Sequence, residues 1–196
     1  MTQQPLHNGR LILTPQSPYW AREDLSTLIE KLHSIGLIEQ PLANQPKRFL
    51  LGDEFMRWVS FMGCSPFIRL SPGDEGEAFC HLAVDGPSPR PRLITGRNTT
   101  PPRCEACRKR ITDWQQAFEA WREQAAGWMA ACPHCGHEQD PASYDFRQTA
   151  GCGRLFLSIE NIFPQEAIPD PGLLTHLQTA SDGQPWHYFY QQDATL

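Results

Sequence analysis

Cys104-Glu105-Ala106-Cys107 and Cys132-Pro133-His134-Cys135-Gly136 are the stretches on which the reading of this chain turns. Two residues between paired cysteines let the backbone make a tight turn whose amides point at both sulfurs and stabilise their negative charge. Two such turns brought together supply four thiolates, enough to close a tetrahedral shell around one metal ion. In the second turn Pro133 pre-sets one backbone dihedral, and Gly136 is free to take positive φ directly after the last ligand. The first turn runs into Arg108 where the second has glycine, so its local signal is weaker. With a protein sulfur at every position no site is left for water, and Lewis-acid hydrolysis is disfavoured. The quartet therefore predicts a structural zinc ion (Zn2+) held by Cys104, Cys107, Cys132 and Cys135.

Over residues 100–140, about a fifth of the chain, this pattern resembles zinc-ribbon or rubredoxin-like knuckle proteins. The resemblance implies that the four cysteines match that family's four ligand positions. Such modules serve unrelated purposes, so it implies no activity. Two departures stand out. The gap between the pairs is longer than usual for such sites. Within it, Trp114, Phe118, Trp121, Ala125 and Trp128 recur at alternating intervals of four and three residues, which predicts a helix where a minimal ribbon has mostly hairpin.

Three rival uses of the pairs fit the sequence less well. The opening MTQQPLHNGR lacks an apolar signal core, so a reducing cytoplasm is expected and persistent disulfides are not. Iron takes the same four ligands, but in electron carriers little larger than the metal site itself. A thioredoxin-type pair follows a strand and opens a helix, whereas Pro101-Pro102-Arg103 precedes Cys104.

Working outward, the 196 residues suffice for one substantial domain, or for a domain plus a small module. Hydrophobic residues make up 40%, enough for a true core, while 18 prolines predict many loops and edges. No stretch has the length of a membrane-spanning helix. The net charge of −5 argues against a general nucleic-acid binder, but the charge is unevenly distributed. Residues 86–110 hold Arg90, Arg92, Arg97, Arg103, Arg108, Lys109 and Arg110 against Glu105 alone, a local +6. From Leu155 onward there is no Lys or Arg, and Glu160, Glu166, Asp170, Asp182 and Asp193 contribute −5, so the two segments are expected to attract each other. Arg97, Arg103, Arg108, Lys109 and Arg110, beside the knuckles, are the candidate contacts for an anion or a partner.

Leu11-Ile12-Leu13 reads as a short strand or extended arm, and Leu25, Leu28, Ile29 and Leu32 define one face of a helix ending at Gly36. A loop is expected over 40–47, then a second helix from Asp53, a plausible N-cap, through Phe55, Trp58, Val59 and Met62, stopped by Gly63 and Pro66. Phe67 to Leu70, Ala78 to Val84 and Arg92 to Thr95 predict a small antiparallel sheet. Gly127 should break the helix between the knuckles, with Trp128 to Ala131 a short strand entering the second. After a loop over 137–153, Arg154 to Ile159 and Trp186 to Tyr190 read as strands flanking a short helix with Leu173, Leu174 and Leu177. The expected class is α+β: a small mixed or antiparallel sheet with flanking helices and an embedded zinc-ribbon-like module. Residues 1–98 would give the N-terminal helices and sheet, 99–140 the module, and 141–196 a strand-helix-strand completing the body.

Other candidate groups read as structural. Cys80 and His81 are adjacent on a strand and must point to opposite faces, so they cannot act as nucleophile and base. Cys64 lies at a turn, and Cys152 sits in a glycine frame that marks a tight turn or a close backbone approach. His134 and His137 can replace a cysteine as ligand, but four thiolates already close the shell, which leaves both exposed. Trp186, Tyr188 and Tyr190 share one strand face and resemble a base-stacking platform in outline, yet their acidic surroundings favour core packing. No nucleotide or catalytic motif is present, so enzyme activity is left open with the balance against it. The expectation is a noncatalytic, zinc-stabilised cytoplasmic adaptor or regulatory module whose partner is another protein. Nucleic-acid binding through residues 90–110 and the knuckles is the first alternative, and a thiol-dependent enzyme or redox protein the second.

Overall fold

A computed structural model of the chain describes residues 9–62, 68–72, 78–124, 127–162 and 166–192. At its centre is an antiparallel six-stranded sheet in the order β12-β1-β10-β5-β3-β2. The strands are β1 (Gly9–Pro15), β2 (Ile38–Leu42), β3 (Gln45–Leu51), β5 (His81–Asp85), β10 (Phe156–Glu160) and β12 (Trp186–Gln192). β1 is nearly continuously buried because it is covered on both faces. Leu11 and Leu13 enter the main core, while Ile12 joins Phe156 and Phe189 on the opposite side.

The first face is covered by α1 (Ser26–Ser34) and α4 (Pro171–Ala180). Leu28 and Leu32 of α1 and Leu173 and Leu177 of α4 pack in one cluster with Leu11, Leu13, Leu82 and Leu157. Gly36, at φ +68, ends α1 as its position predicts. Asp170 caps α4 by accepting a 2.7 Å hydrogen bond from the Gly172 amide.

The second face carries a two-stranded sheet of β6 (Arg92–Thr95) and β9 (Ala150–Gly153). Its glycines explain its closeness to the sheet. A Cβ at Gly151 would lie 2.4 Å from the Phe189 ring, and one at Gly153 would lie 2.5 Å from Thr14 Oγ1. Only backbone fits in this layer, so the glycine frame of Cys152 is a close approach. β6 thus pairs with β9 and not with β5, which corrects the single small sheet expected over 67–95.

Other expectations also change. The predicted loop 40–47 is the β2–β3 hairpin, with Asn44 turning at φ +60. Pro41 is tolerated because β2 ends the sheet, with no outer neighbour to bond among the described residues. The helix expected from Asp53 to Met62 is one turn, α2 (Phe55–Trp58), with no side-chain cap. It gives way at β-branched Val59 to β4 (Val59–Phe61), which pairs with β11 (Ala167–Pro169). The loop expected over 137–153 contains β8 (Glu138–Gln139), a 3-10 turn at Pro141–Ser143 and β9. Cys64 and the flanking Gly63, Pro66 and Phe67, and Ala125, lie outside the described residues, and residues 68–70 form no strand. No helix among the described residues is long and apolar enough to cross a membrane.

Candidate metal centre

The first cysteine pair sits in a tight hairpin tied at its base. The Ile111 amide donates to the Pro102 carbonyl at 2.9 Å, and the Arg103 amide to the Asp145 carbonyl at 3.0 Å. The second pair leaves β7 (Ala130–Ala131) and returns through β8, with Ala131 opposite Glu138. Both turns close in the same way. Arg108 N donates to Cys104 O at 3.0 Å and Cys104 N to Lys109 O at 3.0 Å; Gly136 N donates to Cys132 O at 2.9 Å and Cys132 N to His137 O at 2.8 Å. Arg108 takes φ +60 where Gly136 takes φ +72, so the first knuckle has the left-handed turn without the glycine.

These hairpins bring all four sulfurs within 4.8 Å of one another. Cys104 Sγ lies 3.8 Å from Cys135 Sγ, and Cys107 Sγ 3.9 Å from Cys132 Sγ. A tetrahedron with metal–sulfur bonds of about 2.3 Å has edges of about 3.8 Å, so the quartet has the dimensions of a four-thiolate shell. A disulfide needs about 2.05 Å and is not formed. Cys104 and Cys132 are buried, Cys107 is half-buried and Cys135 is exposed. The amides of Cys107 and Ala106 point at Cys104 and pull its thiol down to about 6. The His137 amide acts the same way on Cys135, but loss of solvation beside the protein and the three neighbouring sulfurs outweigh it and push that thiol up to about 11. Four thiolates this close repel one another unless a cation lies between them, and the donor set fits such a cation.

The two histidines hold the knuckles together and supply no ligand. His137 Nε2 donates to Glu105 Oε1 at 2.6 Å, and this contact holds the imidazole above its usual pKa. His134 Nε2 donates to the Arg110 carbonyl at 3.0 Å, and buried Gln139 accepts from the Glu105 amide at 3.2 Å. Behind the site, Cys104 and Cys132 join a small core with Ile111, Trp114, Tyr144, Phe146 and Ala150. α3 (Trp114–Glu123), the helix predicted between the pairs, packs here, with Trp114 edge-on to Phe146 at 5.2 Å. Ala150 carries this core directly into β9, so the knuckles are anchored to the second face of the sheet.

Of the candidate basic contacts, Arg103, Arg108, Lys109 and Arg110 share the hairpin of the first knuckle, and Arg97 lies apart from it. The Arg97 amide is bonded to Gln192 beside β12, Arg103 Nη1 donates to the Arg108 carbonyl, and Arg108 pairs with Asp145 at 3.4 Å. Lys109 and Arg110 are exposed. In the acidic C-terminal stretch, Glu160 pairs with Arg10 and Asp182 with Arg22, both outside the basic segment. Among the described residues the other two thiols, Cys80 and Cys152, are buried. Burial pushes both Cys80 and Cys152 up to about 12, and Cys80 enters the helix-side core while His81 accepts from Arg48 on the other face.

Sequence order had hidden an open cleft of about 950 Å³ between α3, β6 and the segment before β6. Its lining includes Arg90, Arg92, Arg122 and Arg154 against one carboxylate, Glu119. Tyr19, Trp114, Phe118 and Trp121 supply aromatic surface. The aromatic stripe of α3 was legible, but that it faces a cleft shared with Arg90, Arg92 and Arg154 was not. The chain is thus an α+β protein with an embedded cluster of four cysteines positioned to hold a metal ion. Comparison with protein-family models, curated proteins and solved structures returned no match.

Proposed function

We propose that this chain is a noncatalytic, zinc-stabilised adaptor or regulatory binding module of the cytoplasm. The observation that carries the reading is the sulfur quartet with edges of 3.8 and 3.9 Å, a closed shell with no position for a substrate. Zinc is the ion of choice because it favours tetrahedral thiolate sites and undergoes no redox change. Its role is to fix the two knuckles, and with them α3, against the sheet. α3 then forms one wall of the cleft, and binding takes place there and not at the metal.

Native mass spectrometry tests this reading. The intact chain is expected at the protein mass plus one zinc ion, with retained ligand lost in an Arg90→Gln/Arg122→Gln variant while zinc remains. A folded chain free of metal, or turnover that disappears on Cys152→Ser, would overturn it.

A further inference from the structure

We infer that the cleft between α3 and β6 binds a nucleotide unit, its base against Tyr19 and Trp121 and its phosphate between Arg90 and Arg122. This deepens the reading of the chain as a binding module by naming the ligand. The volume of about 950 Å³ lies at the upper end of the range for small-molecule sites, and the walls are concave.

The aromatic side is built in advance. Tyr19 is 46% exposed, yet its hydroxyl is already committed, donating to Asp140 Oδ2 at 2.7 Å. What remains on offer is a ring face held in place. Trp121 is half-buried and braced by Phe118, the ring centroids 5.0 Å apart. Planar rings stack on such surfaces whatever their hydrogen-bonding edge.

The cationic side is equally prepared. Arg154 is clamped by donating to the Ser88 carbonyl at 2.6 Å and the Tyr19 carbonyl at 3.4 Å. Arg92 is neutralised by Asp85 at 2.7 Å, and Arg154 faces the exposed Glu23 at 3.7 Å. Arg90 and Arg122 make no ion pair among the described residues, and Arg90 Nη1 lies 3.5 Å from the Arg122 carbonyl. Arg90 and Arg122 thus line one cleft with guanidiniums that pair with no carboxylate among the described residues, and such groups are suited to the bidentate recognition of phosphate. An acidic peptide would satisfy the arginines and leave the ring faces unused, so a nucleotide accounts for both walls.

The experiment titrates the zinc-loaded chain with adenosine monophosphate and with a six-residue oligoadenylate, following the fluorescence of the cleft tryptophans. Saturable quenching by at least one is expected, weakened at least tenfold in Arg90→Gln/Arg122→Gln and unchanged in Arg57→Gln, which lies outside the lining. Equal affinity for the two probes assigns a free nucleotide, and at least tenfold preference for the oligomer assigns a nucleotide within a strand. Zinc content and unfolding midpoint of each variant must match the native chain, which keeps lost binding separate from lost folding. The inference is overturned by no quenching at low salt, by binding undiminished in the double variant, by inorganic phosphate competing as well as the nucleotide, or by an acidic peptide displacing it at lower concentration. A chain that keeps zinc but ignores both probes refutes the nucleotide and leaves the module reading standing.

Discussion

Arg108 and Gly136 occupy the same place in their knuckles, each directly after the last cysteine of its pair and each in the left-handed region. The turn geometry, set by the need to aim amides at the sulfurs, dictates that conformation, and the residue type follows only in the second knuckle. A non-glycine residue there costs about 1 kcal/mol. Arg108 recovers part of this through its exposed pair with Asp145, worth at most about 1 kcal/mol. Gly136→Ala should therefore lower the urea unfolding stability of the metal-loaded chain by about 1 kcal/mol, and since no atom lies within 4 Å of the added Cβ the loss reports backbone strain alone. Arg108→Gly should be neutral or stabilising by up to about 1 kcal/mol. A clear destabilisation by Arg108→Gly would show that its side chain does more than the geometry assigns to it. The glycine after the second pair was legible as a turn residue; that arginine takes the equivalent turn was not, because a positive φ at arginine leaves no mark in sequence.

Helices and strands with a periodic apolar or aromatic face are legible from local sequence. The apolar spacing in α1, the aromatic stripe of α3, the leucines of α4 and the aromatic run of β12 each report one face of one element. The β2–β3 hairpin was missed because Pro41 and Pro46 look like loop residues, and only the sheet order reveals an edge strand that tolerates proline. β9 was missed because Ala-Gly-Cys-Gly reads as a turn until Phe189 and Thr14 are seen pressing on its backbone. The knuckles, α3 and β7–β8 share one small core, and on the proposed reading a bound metal holds it together. Stripping the metal with a chelator should therefore abolish hydrogen-exchange protection over α3 and β7–β8, while amides of β1, β10 and β5 stay protected. Protection that persists in α3 without metal, or collapse of the whole sheet with it, would contradict this division.

In the whole molecule, β1 from the start of the chain lies between β10 and β12 from its end, and this long-range order has no local signature. The cleft was invisible for the same reason: Arg90, Arg122 and Arg154 are brought together only when α3 is fixed beside β6 and β9. The four cysteines were legible because a ligand pattern survives without knowledge of topology. Cys104 and Cys132 are buried in the same small core as Trp114 of α3 and Ala150 of β9, so an ion held there would brace the cleft wall that α3 forms. The most direct measurement is X-ray absorption at the zinc edge on the chain as purified. Four sulfur neighbours at about 2.3 Å are predicted. A shell containing nitrogen or oxygen, or folded protein with no bound metal, would contradict the four-thiolate centre.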